Sequence, residues 1–150
     1  MVRVQQEDFD VGAEIARLTE GNRAVGGLTI FVGLVRDMAG DHSIDAMALE
    51  HYPGMTEKKL AEIEAEAQAR WPLEASLIVH RYGRLEPGDR IVLVACASPH
   101  RDAAFDACRF LIDWLKTEAP FWKLEETEAG AHWVDARDSD DTAKKRWLAD

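Results

Sequence analysis

The sequence predicts an α+β fold with a mainly antiparallel sheet. Strand-like runs come in pairs, 75–82 with 90–97 and 121–127 with 131–136, and helical patterns lie between the pairs. Short stretches of turn residues join the paired runs, and antiparallel strands are the kind that short turns can connect. The chain shows no internal repeat and no linker, so we expect a single domain over 1–150 with a sizeable core.

The first half of the chain is predicted to contain two helices and two strands. In chain order these are a helix over 10–20, a strand over 24–36, a loop over 37–45, a strand over 46–52 and a helix from Thr56 to about Arg70. The run 24–36 is apolar on both faces, which predicts a buried central strand ending at Arg36. Thr56 is a typical N-cap residue, and Leu60 and Ile63 follow at helical spacing.

The second half is predicted to contain four strands and one long helix. In chain order these are strands over 75–82 and 90–97, a helix over 99–118, and strands over 121–127 and 131–136. Residues 86–89 (Glu-Pro-Gly-Asp) have turn chemistry. Pro120 ends the helix, since the residue before a proline avoids the α region. The charged residues 139–150 are predicted to form a tail that stays mobile until something binds it.

The charge and composition exclude several functional classes. The formal net charge is −10, which argues against a general nucleic-acid or membrane-surface binder, since these carry a basic footprint. No apolar run approaches the ~20 residues needed to span a bilayer. The N-terminal residues lack the apolar core of a secretory signal, so we expect a cytoplasmic protein. Cys96 and Cys108 lie in apolar patterns and are expected to be buried, reduced thiols, and no metal-ligand spacing such as CxxC or HxxxH is present.

A His-Arg pair opens the long helix of this otherwise acidic chain. Ser98 is predicted to be the N-cap and Pro99 the first helical residue, which places His100 and Arg101 beside the free N–H groups of the first turn. Helix starts normally favour acidic side chains, so two cationic ones indicate a pocket for an anion such as a phosphate or carboxylate. The alternative is a surface pair that makes ordinary caps and ion pairs.

Three further charged positions are candidates for the same site. Lys116 is in the last turn of the helix, where the helix dipole alone favours a cation. In the strand that follows, Phe121, Lys123 and Glu125 share one face, so Lys123 and Glu125 either point together into a site or form an ordinary surface pair. Arg36 ends an almost wholly apolar strand and needs a partner or an anion, because burying an unpaired charge is costly.

Five segments of the chain together resemble a known family. They are LEHYPGM (49–55), RWPL (70–73), HRYGRLEPGD (80–89), HRDAAF (100–105) and LKTEAPFWK (115–123). Each is weakly specific alone, whereas their common order and spacing are highly specific. By these motifs the chain resembles the large, catalytic subunit of molybdopterin synthase over nearly its whole length, from FVGLVR (31–36) to KKRW (144–147).

The resemblance implies an enzyme, a sulfurtransferase of molybdenum cofactor biosynthesis. The family converts cyclic pyranopterin monophosphate (precursor Z) into molybdopterin by adding two sulfurs. The sulfur arrives as a thiocarboxylate at the C-terminal Gly-Gly of a small, ubiquitin-like carrier subunit. The family assembly is a heterotetramer built on a central homodimer of large subunits, and its fold is the α/β hammerhead. The resemblance implies no metal and no cofactor for this subunit.

The resemblance also implies a substrate pocket near the homodimer interface, where both subunits can contribute residues. In this chain its residues are Phe31, Arg36, His100, Arg101, Lys116, Lys123, Glu125 and Arg137. Arg36, His100 and Arg101 are then expected to hold the substrate's phosphate. The family often has a lysine two residues before the pocket arginine, and here that position is Leu34. Either that lysine is peripheral, or the charge is supplied from elsewhere, such as Arg137 or His42.

The resemblance implies catalytic roles for the two lysines. Lys116 is expected to stabilise the carrier tail and its acyl intermediate, and Lys123 to act as general acid and base. Glu125 is expected to orient Lys123 or to bind the pterin. The alternative function is a non-catalytic adapter that docks a ubiquitin-like carrier. An adapter explains Lys116 and Arg101, but it leaves Lys123, Glu125 and Arg36 without a reason to converge.

Overall fold

The computed structural model describes residues 1–39, 42–134 and 138–148. Its helices are α1 (Val11–Thr19), α2 (Met55–Arg70), α3 (Arg101–Glu118) and α4 (Asp138–Lys145). Its strands are β1 (Val2–Gln5), β2 (Gly27–Leu34), β3 (Met38–Ala39), β4 (His42–Ser43), β5 (Ala46–His51), β6 (Ala75–Arg81), β7 (Gly83–Leu85), β8 (Arg90–Ser98), β9 (Phe121–Thr127) and β10 (Gly130–Val134).

The strands form two four-stranded sheets and one small hairpin. The first sheet has the order β1-β6-β8-β2, the second has the order β10-β9-β5-β7, and β3 pairs with β4. Within the described ranges, every pairing except that of β1 with β6 is antiparallel. The predicted α+β fold with a mainly antiparallel sheet is therefore confirmed. The short strands β1, β3, β4 and β7 carry no periodic pattern that would predict them.

Helices cover both faces of the first sheet. α2 and α3 pack on one face, over residues such as Ile78 and Val94, and α1 packs on the other, over Leu77 and Leu93. The central strands β6 and β8 are buried on both sides, which is why their sequences are continuously apolar. Across the described ranges, no helix has both the length and the apolar character needed to cross a membrane.

The prediction of a buried central strand over 24–36 is wrong. The strand in this run, β2, lies at the edge of the first sheet, with β8 as its neighbour. Ile30, Phe31 and Leu34 are 37%, 38% and 53% exposed, and a bulge between Gly33 and Leu34 interrupts the pairing with β8. A strand that is apolar on both faces needs cover on both faces, but the pattern does not reveal whether that cover comes from its own chain.

The N-cap predictions for the two long helices are also wrong. Ser98 still belongs to β8, where it pairs with Gly27, and its hydroxyl donates to the Pro72 carbonyl at 2.9 Å. α3 therefore starts at Arg101, with His100 in extended conformation as its N-cap. In α2 the N-cap is Gly54, with φ of 86°, a left-handed conformation that suits glycine.

Thr56 has a different role from capping. It lies inside the first turn of α2 and is fully buried. Its hydroxyl donates to the Pro120 carbonyl at 3.1 Å and accepts from the Tyr52 N–H at 3.1 Å. The side chain therefore ties the start of α2 to the turn between α3 and β9.

The C-terminal segment contains a helix that packs against α3. After α4, the Trp147 indole N–H donates to the Asp113 carboxylate at 2.6 Å. The same indole packs edge-on against Trp71 and Phe110, with ring centroids 5.6 Å and 5.7 Å apart. Lys144 forms an ion pair with Glu118. The mobility predicted for residues 139–150 stays a prediction.

Replacing Thr56 with Val should lower the free energy of unfolding by about 1–3 kcal/mol, because two partly buried backbone groups, the Tyr52 N–H and the Pro120 carbonyl, lose their hydrogen-bond partner. Thr56→Ser keeps the hydroxyl and should cost less. Thr117→Val is the control, since the Thr117 hydroxyl donates within its own helix, to the Asp113 and Trp114 carbonyls. Urea unfolding followed by circular dichroism measures all three. Equal losses for Thr56→Val and Thr117→Val would contradict the bridging role.

Candidate functional site

Lys123 and Glu125 lie together on one face of the second sheet. As strand periodicity predicts, they share this face of β9 with Phe121. The Lys123 Nζ is 3.3 Å from the Glu125 Oε1, and Glu125 is only 9% exposed. In the neighbouring strand β5, Leu49 pairs with Lys123 and Met47 pairs with Glu125. The ammonium is therefore held by a largely buried carboxylate, with apolar side chains of β5 beside it on the same face.

Lys116 approaches the same region from the end of α3. It is exposed and lies in the last turn of the helix, five residues before Phe121 begins β9. Its positive charge acts on the buried imidazole of His80. The His80 ring stacks on the Phe121 ring, with centroids 3.9 Å apart and planes 19° apart. The two lysines thus flank one buried aromatic contact between the two sheets.

His80 is kept neutral by its surroundings. Its pKa is lowered to about 4, chiefly by burial and to a smaller extent by the positive charge of Lys116 and by His51, while the hydrogen bond to the Arg81 backbone acts in the raising direction. The His80 Nδ1 lies 2.8 Å from the Arg81 carbonyl oxygen. Because a carbonyl oxygen can only accept, Nδ1 carries the hydrogen and Nε2 keeps its lone pair.

A second imidazole, His51, lies beside the first. It pairs with Phe121 across β5 and β9, and its ring centroid is 6.3 Å from that of Phe121 and 4.1 Å from that of Tyr82. Its Nε2 is 3.7 Å from the Glu57 carboxylate. No sequence pattern assigned chemistry to His51 or His80, although two of the family motifs contain them. Alternation within β5 and β6 predicts their faces, but only the approach of the two sheets brings them together.

The segment that carries Arg36 packs on the second sheet through Val35, the residue before it. Val35 is buried against Met47, Leu49 and Leu85, and its N–H donates to the Asp89 carbonyl at 2.9 Å. Arg36 itself is exposed and lines an open groove. Met47 and Leu49 are the strand partners of Glu125 and Lys123. The segment that carries Arg36 therefore packs next to the lysine site.

His100 and Arg101 lie at the other end of β2. Gly27 pairs with Ser98 there, whereas Leu34 pairs with Arg90. A Cβ added to Gly27 would lie 3.2 Å from the Arg101 Cα, so this end of the strand touches the start of α3. Seven residues of strand separate the two ends, which is about 23 Å at the usual rise. One chain therefore does not bring Arg36 together with His100 and Arg101.

Phe31 occupies the middle of the exposed edge strand. With Ile30, Phe105 and Ile112 it lines a groove of about 590 Å³ between β2 and α3. It is therefore placed between the two charged ends rather than inside the lysine site. Arg137 and the side chain of His42 lie outside the described residues.

Comparison with known proteins places these features in a family. The model of the family described as MoaE protein matches residues 4–118. The chain belongs to the MoaE family. A relative from Pseudomonas aeruginosa, named molybdopterin synthase catalytic subunit, is 56% identical over 146 residues, which cover 97% of each chain. The family model ends at Glu118, before Lys123 and Glu125, but the similarity to this relative covers nearly all of the chain.

Solved structures share the MoaE fold. The structure of a molybdopterin biosynthesis MoaE protein from Burkholderia ambifaria has a TM-score of 0.86 and 53% identity, over 100% of this chain and 99% of that one. A more distant chain, from a protein–protein complex of subunits 1 and 2 of molybdopterin-converting factor from Helicobacter pylori, has a TM-score of 0.74 and 19% identity. The match covers 91% of both chains, and at this identity it supports the fold alone.

The neutral, buried state of His80 predicts a pH dependence of stability. Its folded pKa of about 4 lies below its usual 6.5, so the unfolded chain binds more protons between these values. The contribution of neutral His80 to the free energy of unfolding is complete above about pH 6.5. It is lost as the pH falls towards 4, by up to about 3 kcal/mol. Urea unfolding at pH 4.5 and 7 should show this slope in the wild type and a weaker one in His80→Leu. His100→Gln, which alters an exposed imidazole, should keep it.

Proposed function

We propose that this chain is the catalytic subunit of a molybdopterin synthase. It converts cyclic pyranopterin monophosphate into molybdopterin, with sulfur delivered as a thiocarboxylate by a small, ubiquitin-like carrier subunit. One observation carries the proposal: the chain belongs to the MoaE family and is 56% identical, over 97% of its length, to a protein named molybdopterin synthase catalytic subunit. The five sequence motifs of this family are all present in the chain.

The pair of lysines suits acyl chemistry at a thiocarboxylate. For each sulfur, the thiocarboxylate forms a carbon–sulfur bond to a side-chain carbon of the pterin while a carbon–oxygen bond at that carbon breaks, with the cyclic phosphate opening in one addition and water leaving in the other. Water then cleaves the bond between the acyl carbon and the sulfur. The sulfur stays on the pterin, and the carrier leaves with a carboxylate. Negative charge develops on the acyl oxygen during cleavage, and an ammonium such as that of Lys116 stabilises it.

Proton transfer at the pterin is assigned to Lys123. Its Nζ is 3.3 Å from a nearly buried Glu125 carboxylate, which holds the amine in one orientation. A general acid or base has to be positioned before its pKa matters, and this ion pair supplies the positioning. Glu125 is therefore an orienting group for Lys123.

The phosphate site is completed by a second copy of the chain. β2 is an exposed apolar edge, and an edge strand is a template for pairing with another strand. Two copies of β2 paired antiparallel about a two-fold axis between Ile30 and Phe31 would set Leu34 of one copy opposite Gly27 of the other. Arg36 would then approach His100 and Arg101 of the second copy. This pairing supports the homodimer at the centre of the proposed heterotetramer.

We also assign the enzyme to the cytoplasm. Both of its cysteines, Cys96 and Cys108, are buried and unbridged. Free thiols are typical of proteins that work in a reducing compartment.

Replacing either lysine with Met should reduce product formation without unfolding the protein. Lys123→Met should lose about 10²–10⁴-fold, the usual contribution of a general acid or base, and Lys116→Met about 10²–10³-fold, that of an oxyanion donor. Lys58→Met, an exposed lysine of α2, is the control. The assay combines the thiocarboxylated carrier with cyclic pyranopterin monophosphate and measures oxidised molybdopterin by fluorescence. A stable complex of the wild-type protein with a competent carrier but no product would favour an adapter.

Mixing two inactive variants tests whether the site is shared between copies. Arg36→Ala and Arg101→Ala are each expected to be inactive alone. After subunit exchange, half of the dimers are mixed, and each mixed dimer keeps one intact site of two, so the mixture should recover about a quarter of the wild-type activity. A mixture of Arg36→Ala with Lys123→Ala should recover nothing, since both residues belong to the same half of the site. Recovery in neither mixture, with exchange verified by mass spectrometry, would place the whole phosphate site in one chain.

A further inference from the structure

The start of β2 and the turn before α3 lie closer together than a side chain between them would allow. A Cβ added to Gly26 would lie 2.1 Å from the carbonyl oxygen of Pro99. Contacting carbon and oxygen atoms normally stay about 3.3–3.6 Å apart, so any side chain at position 26 would force this backbone oxygen to move by about 1 Å. Gly26 does not adopt a left-handed conformation, so the close approach itself requires the glycine.

Hydrogen bonds hold the strand and the turn in this contact. The Gly26 N–H donates to the Ser98 carbonyl at 2.9 Å. The Ser98 side chain is fully buried. Its hydroxyl donates to the Pro72 carbonyl at 2.9 Å and accepts from the His100 N–H at 3.4 Å. The turn at Pro99 is therefore held from two sides, by the glycine and by the serine.

The position of this turn decides where the His-Arg pair lies. The Pro99 carbonyl oxygen and the His100 N–H belong to one planar peptide unit, so a displaced oxygen turns this peptide and moves His100 with it. Pro99 leaves little freedom to absorb the change, because its ring fixes φ. His100 is the N-cap of α3 and Arg101 is the first residue of the helix. Both side chains are exposed, and the turn sets the direction in which they leave the backbone.

We propose that Gly26 and Ser98 are positioning residues of the phosphate site, because they hold the turn that presents the His-Arg pair. This inference rests on the proposed function, since it assumes that the pair binds the phosphate of the pterin substrate. In the proposed pairing of two β2 strands, the turn also sets the gap between the His-Arg pair of one copy and Arg36 of the other. A phosphate has to fit into this gap, and a misplacement of about 1 Å in a site can cost about 10²-fold in rate.

The variant Gly26→Ala tests the close approach. The KM for cyclic pyranopterin monophosphate should rise about 10²-fold, while kcat at saturating substrate and the affinity for the carrier should stay close to those of the wild type. The carrier tail is expected at Lys116, which lies about 22 Å from the start of α3 at the usual helical rise. Gly12→Ala is the matched control and should leave KM unchanged, because a Cβ there meets only the Asp10 Oδ1 at 3.5 Å, an ordinary contact.

The variant Ser98→Ala removes the other restraint on the turn, and it decides the question if Gly26→Ala does not fold. It takes the hydroxyl away from the Pro72 carbonyl and the His100 N–H without adding an atom. The KM for the pterin substrate should rise about threefold to tenfold, which corresponds to the loss of one hydrogen bond. The affinity for the carrier should again be unchanged.

Inorganic phosphate provides a readout that does not depend on turnover. In the full chain labelled with ¹⁵N-histidine, the ring resonances of His100, assigned by their absence in His100→Gln, should shift as inorganic phosphate is added. The dissociation constant from this titration should rise in Gly26→Ala and in Ser98→Ala, together with KM. It should stay at the wild-type value in Gly12→Ala.

The outcomes distinguish the two proposals. Wild-type protein that makes no product with a competent carrier removes the proposed function, whereas the phosphate titration still reports on the turn. An active wild type overturns the positioning role alone if the folded variants keep both KM and the dissociation constant for phosphate. A wild-type titration without a shift at His100 overturns it as well. So does a loss of carrier affinity as large as the rise in KM, because a general effect on the fold would then explain both.

Discussion

The stack of His80 on Phe121 is the contact on which the arrangement of the site depends. It joins β6 of the first sheet to β9 of the second, and the chain on either side of Phe121 carries the two lysines. The Thr56 hydroxyl holds the preceding carbonyl, that of Pro120, so the start of α2 is tied to the same point. A change in the contact between His80 and Phe121 would shift the ammonium groups of Lys116 and Lys123 relative to β5.

Much of the fold is predictable because its central elements are periodic. The strands at 75–82, 90–97 and 121–127, and the long helix between them, follow from apolar patterns that one chain satisfies by itself. The edge position of β2 does not follow from its sequence. The apolar pattern shows that the strand needs to be buried, but it does not show whether the same chain or a second chain covers it. The start of α3 lies later in the chain than predicted for a related reason. Ser98 is a residue type that often caps helices, but here it is part of β8 and pairs with Gly27.

The candidate site was predictable in part. The shared face of Lys123 and Glu125 follows from the two-residue period of a strand, and the His-Arg pair from its unusual place at a helix start. The separation of that pair from Arg36 depends on the antiparallel register of β2 and β8, which no local pattern encodes. The role of His80 could not be predicted, because a histidine in an apolar strand has the same sequence pattern whether it packs within one sheet or also joins two sheets.

The bulge at Gly33 and Leu34 has a consequence for how large an assembly can grow. A flat edge strand can recruit strand after strand, and chains joined in this way build fibres. Here the register with β8 shifts at the bulge, which bends the strand, and in the proposed pairing of two copies about a two-fold axis each β2 edge covers the other. In the proposed dimer the apolar strand is therefore covered by its own copy, which protects a strongly β-forming segment from open-ended pairing, while β1 remains the outer edge of each first sheet.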